Sequence, residues 1–362
     1  MKKKKWLVML LAVATSMSLM YGCGFSDSGQ KEETETETQK QAASDNGDGA
    51  EEAADTGDVR EQNRKIVYIS RNLNDMYAAF LVKIFETKID TDYPGWEMEV
   101  LGLQEDFAKN PDYIENAVTM GADGIIGQLM TVNPVDAARK VGEENGVEVA
   151  AFDALYPESE GALAMVNADN YRMGYMIGEL AAEKLPENGR VCILAIGRKM
   201  DVVVQRDNGI ADALAELRPD VEILTIGDID FDKNVGIQIV TDWITQYGQL
   251  DGILGDSDTC ALAAIEAYRA AGLDLEKTVF IGLDGGSDAC NAIKNGELTG
   301  SVLQSAEQYA ELTLQICADA FEGKIDPADG ENQPSLTIDP IMITSENVDE
   351  YIELYTKYGL MK

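Results

Sequence analysis

The chain has 362 residues, of which 45% are hydrophobic and 26% are charged, and its formal net charge is −36. That length allows two domains with cores of their own, and so acidic a surface repels nucleic acid and anionic lipid headgroups. The sequence contains no histidine, which removes the usual general base and the commonest metal ligand.

The first 23 residues are predicted to be an export signal. A basic run, Lys2–Lys5, precedes the apolar run Trp6–Leu19, which is short for a membrane span. The segment ends in Gly22-Cys23, which resembles a bacterial lipoprotein processing site. We therefore expect Cys23 to be acylated and to anchor the mature protein on the extracytoplasmic face of the cell membrane. The alternative is an ordinary signal peptide with an incidental cysteine.

Residues 24–63 are predicted to form a disordered acidic linker. The segment holds twelve acidic and three basic residues, and Phe25 is its only large apolar side chain. Such a composition buries too little apolar surface to offset the entropy lost on ordering. We expect it to tether a folded part that begins at residue 64.

The rest of the chain contains an internal duplication. Three pairs of similar apolar phrases stand in the same order in the two halves, namely 65–70 with 190–197, 121–127 with 249–255, and 148–153 with 278–284. The apolar residues between these phrases have helical spacing. Alternating strands and helices predict an α/β fold with a parallel sheet covered on both faces. Two similar halves predict two similar doubly wound parallel-sheet lobes.

Two carboxylates occupy matching places in this repeat. Asp153 ends one apolar strand and Asp284 ends its counterpart in the second half. Ligands of open α/β sheets bind beyond the carboxyl ends of the strands. We therefore expect both carboxylates to face one cleft between the lobes, where they would accept hydrogen bonds from a ligand rich in hydroxyl groups.

Further candidates supply donors and flat apolar surface. Arg206, at the start of a helix-like run, presents five donors in one plane. The amides of Asn74 and Gln304 can donate and accept, and the rings of Tyr77 and Phe231 can pack against the C–H faces of a sugar. Taken singly, arginine and amide side chains such as these are more often surface or turn residues, and the two aromatic residues are more often core residues.

From about Arg64 to the end, the chain resembles the type I periplasmic binding proteins of sugar ABC transporters, and most of all the ribose-binding group. The matching phrases follow one another in order at residues 70–77, 149–153, 167–174, 205–209, 229–236, 258–265, 281–285 and 302–304. They cover almost the whole mature domain. The resemblance implies a first lobe made of residues 64–168 plus 305–338 and a second made of 169–304 plus 339–362.

The resemblance also implies a hinge of three crossings and a set of ligand contacts. The hinge would include Ala168, Asp169, Ser305 and Asp339. The ligand would be bound by Asn74, Tyr77, Asp153, Arg206, Phe231, Asp284 and Gln304.

The sequence departs from the ribose-binding pattern at three places in this site. Ala154 and Ser257 stand where the family commonly has Arg and Asn, and Met76 stands where it has an aromatic residue. A donor is lost, and Gln128, Asp256 and Ser257 are candidate replacements. We therefore expect a monosaccharide, pentose or hexose, without a specific preference for ribose.

The implied function is substrate binding for an ABC importer, without catalysis and without a cofactor or metal. The partners would be a monosaccharide, the membrane permease and, through it, the ATPase, and the protein would be a monomer. The alternative is a sensor that passes a sugar signal to a membrane receptor or kinase.

Four cysteines in the folded part fall in strand-like or helix-like runs without a CxxC pair, namely Cys192, Cys260, Cys290 and Cys317. Export permits disulfides, but buried free thiols are the preferred interpretation.

Overall fold

The computed structural model describes residues 57–129, 134–153 and 161–361, except for the side chain of Met76. The predicted export signal, Cys23 and Ala154 lie outside the described residues, as do residues 24–56 of the predicted linker.

The first lobe alternates strands and helices along the chain. Its elements are β1 (Arg64–Ser70), α1 (Met76–Asp92), β2 (Trp96–Gly102), α2 (Asn110–Thr119), β3 (Gly124–Gly127), α3 (Val135–Asn145), β4 (Glu148–Phe152) and β5 (Ala164–Ala168). Every residue of β3 and β4 is buried, as expected for a parallel sheet with both faces covered.

The second lobe repeats the pattern, and the end of the chain returns to both lobes. The second lobe contains α4 (Asn170–Lys184), β6 (Arg190–Ala195), α5 (Asp201–Leu217), β7 (Glu222–Asp228), α6 (Lys233–Tyr247), β8 (Gly252–Gly255), α7 (Asp258–Ala270), β9 (Val279–Asp284), α8 (Ser287–Lys294) and β10 (Gly300–Leu303). The last elements are α9 (Ala306–Phe321), β11 (Ser335–Ile338), β12 (Ile341–Thr344) and α10 (Val348–Lys357).

The two sheets have the same strand order. One runs β11-β5-β4-β3-β1-β2 and the other β12-β10-β9-β8-β6-β7, and every pairing is parallel except that of β10 with β12. The duplicated phrases therefore occupy equivalent strands, and the prediction of two similar α/β lobes is confirmed. The chain passes between the sheets three times: from β5 to α4, from β10 to α9 and from β11 to β12.

The residues predicted for the hinge lie at these crossings. Asp169 caps α4 by accepting a hydrogen bond from the Arg172 N–H at 2.8 Å, and Ser305 caps α9 in the same way. Ala168 ends β5, and the Asp339 N–H donates to the Gln308 side chain at 3.3 Å. Because caps satisfy exposed backbone donors at a helix start, the first two crossings pass directly into well-formed helices.

Residues 57–63 correct the predicted boundary of the linker, because they pack on the first lobe. The Val59 side chain is 4% exposed, and the Val59 carbonyl accepts a hydrogen bond from Trp96 Nε1 at 2.9 Å. The Gly95 N–H donates to the Arg60 carbonyl at 2.9 Å. One buried valine and these backbone bonds order a segment whose composition predicts disorder.

The four cysteines of the described residues are free and buried, in agreement with the sequence prediction.

Two glycines allow α4 and α5 to approach closely beside the cleft. A Cβ atom at Gly174 would lie 1.9 Å from the carbonyl oxygen of Arg206, and one at Gly209 would lie 2.2 Å from that of Tyr171. Any side chain at these positions would push the two helices apart and would move the backbone of Arg206.

We expect Gly174→Ala to lower the free energy of unfolding by about 2 kcal/mol or more, because overpacking against backbone cannot be relieved by a rotamer change. Urea denaturation measures this value. Gly236→Ala on α6 is the matched control, since its new Cβ would meet its nearest atoms at 3.1 Å and 3.2 Å. Equal stability of the two variants would contradict the close-packing account.

Candidate functional site

The carboxyl ends of both sheets converge on one polar cleft. Six residues at or just beyond strand ends have positive φ: Gln104 (53°), Glu105 (61°), Asp153 (51°), Asp230 (46°), Phe231 (63°) and Asp284 (118°). This backbone conformation costs a non-glycine residue about 1–3 kcal/mol and is concentrated at functional sites. The strain therefore marks the same edge at which the duplication predicts a ligand.

Arg206 connects the second lobe to two of the crossings. It projects from α5, is 6% exposed, and donates to Asn170 Oδ1 at 2.8 Å, to the Asp256 carbonyl at 3.2 Å and to Gln304 Oε1 at 2.6 Å. Asn170 begins α4 after the first crossing, and Gln304 precedes α9 at the second. The guanidinium is thus held in one orientation by three acceptors.

Gln304 continues this network into the first lobe. Its Nε2 donates to Asp153 Oδ1, and its carbonyl accepts a hydrogen bond from the Tyr77 hydroxyl at 2.7 Å. Gln128 Nε2 donates to the other Asp153 oxygen at 2.9 Å. Burial raises the pKa of Asp153, and the positive charges of Arg206 and Arg71 oppose that shift.

Asp284 lines the same cavity as Asp153, as the repeat predicts. Its side chain is 7% exposed, and burial together with the neighbouring Asp258 carboxylate holds its pKa well above the ordinary range. Among the residues that the structure describes, none donates a hydrogen bond to the Asp284 carboxylate or forms an ion pair with it. It is a buried carboxyl group that lines the cavity and can take a new hydrogen-bond partner.

Arg71 is a cleft residue that sequence reasoning missed. It directly follows β1, is 6% exposed, and pairs with Asp75 and, at 3.0 Å, with Glu105. Its guanidinium carbon lies 5.0 Å from the centroid of the Phe231 ring in the other lobe, within the range of a cation–π interaction. Arg71 therefore brings a second arginine to a site that lacks one at position 154.

Phe231 needs a glycine beneath it. A Cβ at Gly197, just beyond β6, would lie 2.6 Å from the Phe231 ring. Gly197 therefore leaves the space in which the ring lies flat against the floor of the cleft.

The remaining predicted contacts fall in different places. Asn74 is exposed, its backbone N–H donates to Asn72 Oδ1 at 2.9 Å, and it does not line the cavity. Ser257 lines the cavity and caps α7 through the Cys260 N–H at 3.2 Å. Gln128 is fully buried and reaches the site through Asp153. The Met76 side chain lies outside the described residues.

The central cavity has a volume of about 30 Å³ and an apolar wall that the sequence did not reveal. Its lining consists of Arg71, Asp75, Tyr77, Asp153, Ile196, Met200, Val202, Arg206, Phe231, Ser257, Thr259, Asp284 and Gln304. Ligand pockets usually measure roughly 300–1,000 Å³. The polar groups here bind one another across the lobes, and the space between them is smaller than such a pocket.

A buried carboxylate, Asp256, supports the floor of this site. Its Oδ1 accepts a hydrogen bond from the Ile196 N–H at 2.8 Å. Burial and the adjacent Asp207 raise the pKa of Asp256 to about 8, against the opposing charge of Arg206. The folded protein therefore keeps a proton on Asp256 at pH values where an unfolded aspartic acid has lost it.

We expect the free energy of unfolding to fall as pH rises from about 4 to 8, because the folded state binds the extra proton throughout that window. Asp256→Asn should reduce the slope by up to about 1.4 kcal/mol per pH unit, as measured by urea denaturation across this range. Asp136→Asn, at an exposed site on α3, should leave the slope unchanged. An unchanged slope in Asp256→Asn would contradict the assignment.

Neither a metal centre nor a membrane span is present in the part of the chain that the structure describes. No group of cysteine and acidic residues there is arranged to hold a metal ion. None of the described helices has the length and apolar character needed to cross a bilayer.

Two α/β lobes with a polar cleft at the carboxyl ends of both sheets define a two-lobed ligand-binding protein. Residues 103–325, more than half of the chain, match the family described as "Periplasmic binding protein domain", and the chain belongs to that family. This confirms the family resemblance and the prediction of a binding protein in place of an enzyme.

Three proteins similar to this chain are named for the polyhydroxylated molecules that they bind. The ribose import binding protein RbsB of Bacillus subtilis is 24% identical over 72% of this chain and 84% of its own. The xylitol-binding protein of Mycolicibacterium smegmatis is 24% identical over 68% of each chain. The structure of the Caulobacter myo-inositol binding protein with myo-inositol is 25% identical, with a TM-score of 0.69 and coverage of 79% and 95%.

Proposed function

We propose that this chain is the substrate-binding protein of an ABC importer and binds a monosaccharide or a related polyol between its lobes. The observation that carries the proposal is the hydrogen-bonded chain from Arg206 through Gln304 to Asp153, which joins the two lobes at a hinge crossing. Each member of this chain can exchange its protein partner for a ligand hydroxyl.

The chemistry of the cleft suits hydroxyl groups. Asp153 and Asp284 supply acceptors, Arg206 and the Gln304 amide supply donors, and Phe231 supplies a flat apolar face. A hydroxyl both donates and accepts, so a polyol can satisfy both kinds of partner at once. The similar proteins named for ribose, xylitol and myo-inositol support a ligand of this class.

Ligand capture would proceed by hinge closure about the three crossings. The helices that follow the first two are capped by Asp169 and Ser305, so the change in backbone angles would concentrate in the short segments before them. Hinges of two-lobed binding proteins absorb their motion in a few such residues at the ends of secondary-structure elements. The closed form would be the one that the permease recognises.

The location we propose is the extracytoplasmic face of the membrane, with a lipid on Cys23. Growth with labelled palmitate followed by immunoprecipitation tests this. We expect label on the full chain and none on Cys23→Ala, which should also leave the membrane fraction. Label on the Cys23→Ala variant, or the absence of label from the wild-type chain, would contradict the proposed lipid anchor.

A thermal-shift screen tests the ligand class. We expect at least one of ribose, xylitol, myo-inositol and the common hexoses to raise the melting temperature, since a ligand that binds only the folded state stabilises it. Charged amino acids serve as the contrasting class. A response to amino acids alone, with every polyol silent, would contradict the proposed function.

A further inference from the structure

A second, larger cavity adjoins the central one. It measures about 230 Å³, and Tyr77 and Asp284 line both cavities. Phe80 from α1 and Leu360 near the end of the chain give it an apolar side. The cleft therefore continues beyond the space in which Asp153 and Arg206 meet a ligand.

The ionisable side chains that line this second cavity are all acidic. Asp258, Asp284 and Asp288 line it, and no lysine or arginine does so among the described residues. The central cavity, by contrast, has Arg71 and Arg206 beside its carboxylates. A polyol hydroxyl can donate to these carboxyl groups, but only a cation beside them also stabilises their ionised form.

The three carboxylates are not equivalent. Asp258 is satisfied within the protein, because it accepts hydrogen bonds from the Ser301 hydroxyl at 2.6 Å and from the Gly286 N–H at 2.9 Å. The second of these uses a backbone donor at the start of α8. Asp284 is 7% exposed and has no donor among the described residues. A buried acceptor without a partner is costly, and here it lines the cavity wall.

We propose that the second cavity is a subsite for a protonated amino group, so that the ligand is a polyol carrying an ammonium substituent. This inference rests on the proposed function, since the polyol part would occupy the central cavity. The ammonium would donate to Asp284 and lie near Asp288, with the rings of Tyr77 and Phe80 as apolar and cation–π surface. The net charge of −36 would favour the approach of such a cation.

The test compares matched ligands that differ in one group. Isothermal titration of the full chain would use D-glucose, D-glucosamine and N-acetyl-D-glucosamine, the corresponding galactose and mannose sets, and scyllo-inositol with scyllo-inosamine. We expect the best amine to bind about tenfold more tightly than its hydroxyl parent, the size of one charge-assisted hydrogen bond. The N-acetyl compound keeps the bulk without the charge and should lose this gain. High salt should reduce the difference in affinity between the amine and its hydroxyl parent.

Variants locate the effect. Asp288→Asn should reduce the ratio of amine to parent affinity, whereas Asp90→Asn removes an equal charge from an exposed position on α1 that lines neither cavity. Neutral sugars that bind as tightly as their amines would overturn this inference and leave the proposed function standing. No binding by any neutral or amino compound, including ribose and xylitol, would overturn both. An unchanged ratio in Asp288→Asn would place the amine elsewhere and overturn the subsite.

Discussion

Replacing Arg206 by alanine should abolish measurable polyol binding, with a loss of affinity of about a hundredfold or more. Removing one partner of a buried, hydrogen-bonded charged group costs about 2–5 kcal/mol, and each 1.4 kcal/mol is about tenfold in affinity. Arg206 orients Gln304 and Asn170 as well as facing the ligand. Its loss would therefore remove a donor and also loosen the crossings that position the two lobes.

Isothermal titration with the best polyol from the thermal-shift screen measures this effect, and circular dichroism checks that the variant is folded. Arg172→Ala is the matched control, because Arg172 lies on the exposed part of α4 and pairs there with Glu179 at 2.9 Å. Arg206→Lys should recover part of the affinity, since it restores the charge without the planar fork. If Arg206→Ala bound the polyol with wild-type affinity, the ligand would not bind in this cleft.

Replacing Asp153 by asparagine should weaken binding by about ten- to a hundredfold, because hydrogen bonds to a charged acceptor contribute about 1.5–3 kcal/mol. The substitution keeps the size of the side chain. Asparagine also tolerates the left-handed conformation better than most residues, so the backbone at φ 51° should persist. The change therefore tests the carboxylate itself.

The measurement is again calorimetric titration, with Asp136→Asn at an exposed position of α3 as control. We expect Asp153→Asn to fold but to be less stable than the wild type, because one of the two amide donors, Gln128 Nε2 or Gln304 Nε2, would face the new amide nitrogen in place of a carboxylate oxygen. Full affinity in this variant would show that the ligand hydroxyls bind elsewhere.

The fold could be predicted from the sequence because the duplicated apolar phrases form strands that are buried on both faces of each sheet. Apolar phrases such as 148–153 and 278–284 can satisfy only a parallel sheet with covered faces, and their common order implied equal strand orders. The ligand-binding role predicted for the Asp at the end of each phrase followed from the rule that ligands of open α/β sheets bind beyond the carboxyl ends of the strands.

Arg71 shows why the site was only partly predictable. Its position after β1 is no different from that of many solvated charges, and nothing local reveals that Phe231 of the other lobe lies 5.0 Å away. Such pairings depend on how two distant chain segments are brought together. Asn74 is exposed and does not line the central cavity, so its contact with a ligand stays a prediction from the family resemblance.

The ordering of residues 57–63 shows what amino-acid composition alone cannot predict. Charge and polarity average over a window, whereas ordering of this segment depends on one buried side chain, Val59, and on backbone bonds to the chain around Trp96. A single apolar residue among acidic neighbours carries too little signal to mark the start of a folded domain.

The central claim is that a polyol binds between the lobes, held by Asp153, Asp284 and Arg206. A crystal structure of the protein with the polyol that gives the largest thermal shift tests it most directly. We predict ligand density in the cleft, with hydroxyl oxygens within hydrogen-bond distance of all three side chains. Ligand density at any other surface, with these three side chains still bonded only to protein, would contradict the account.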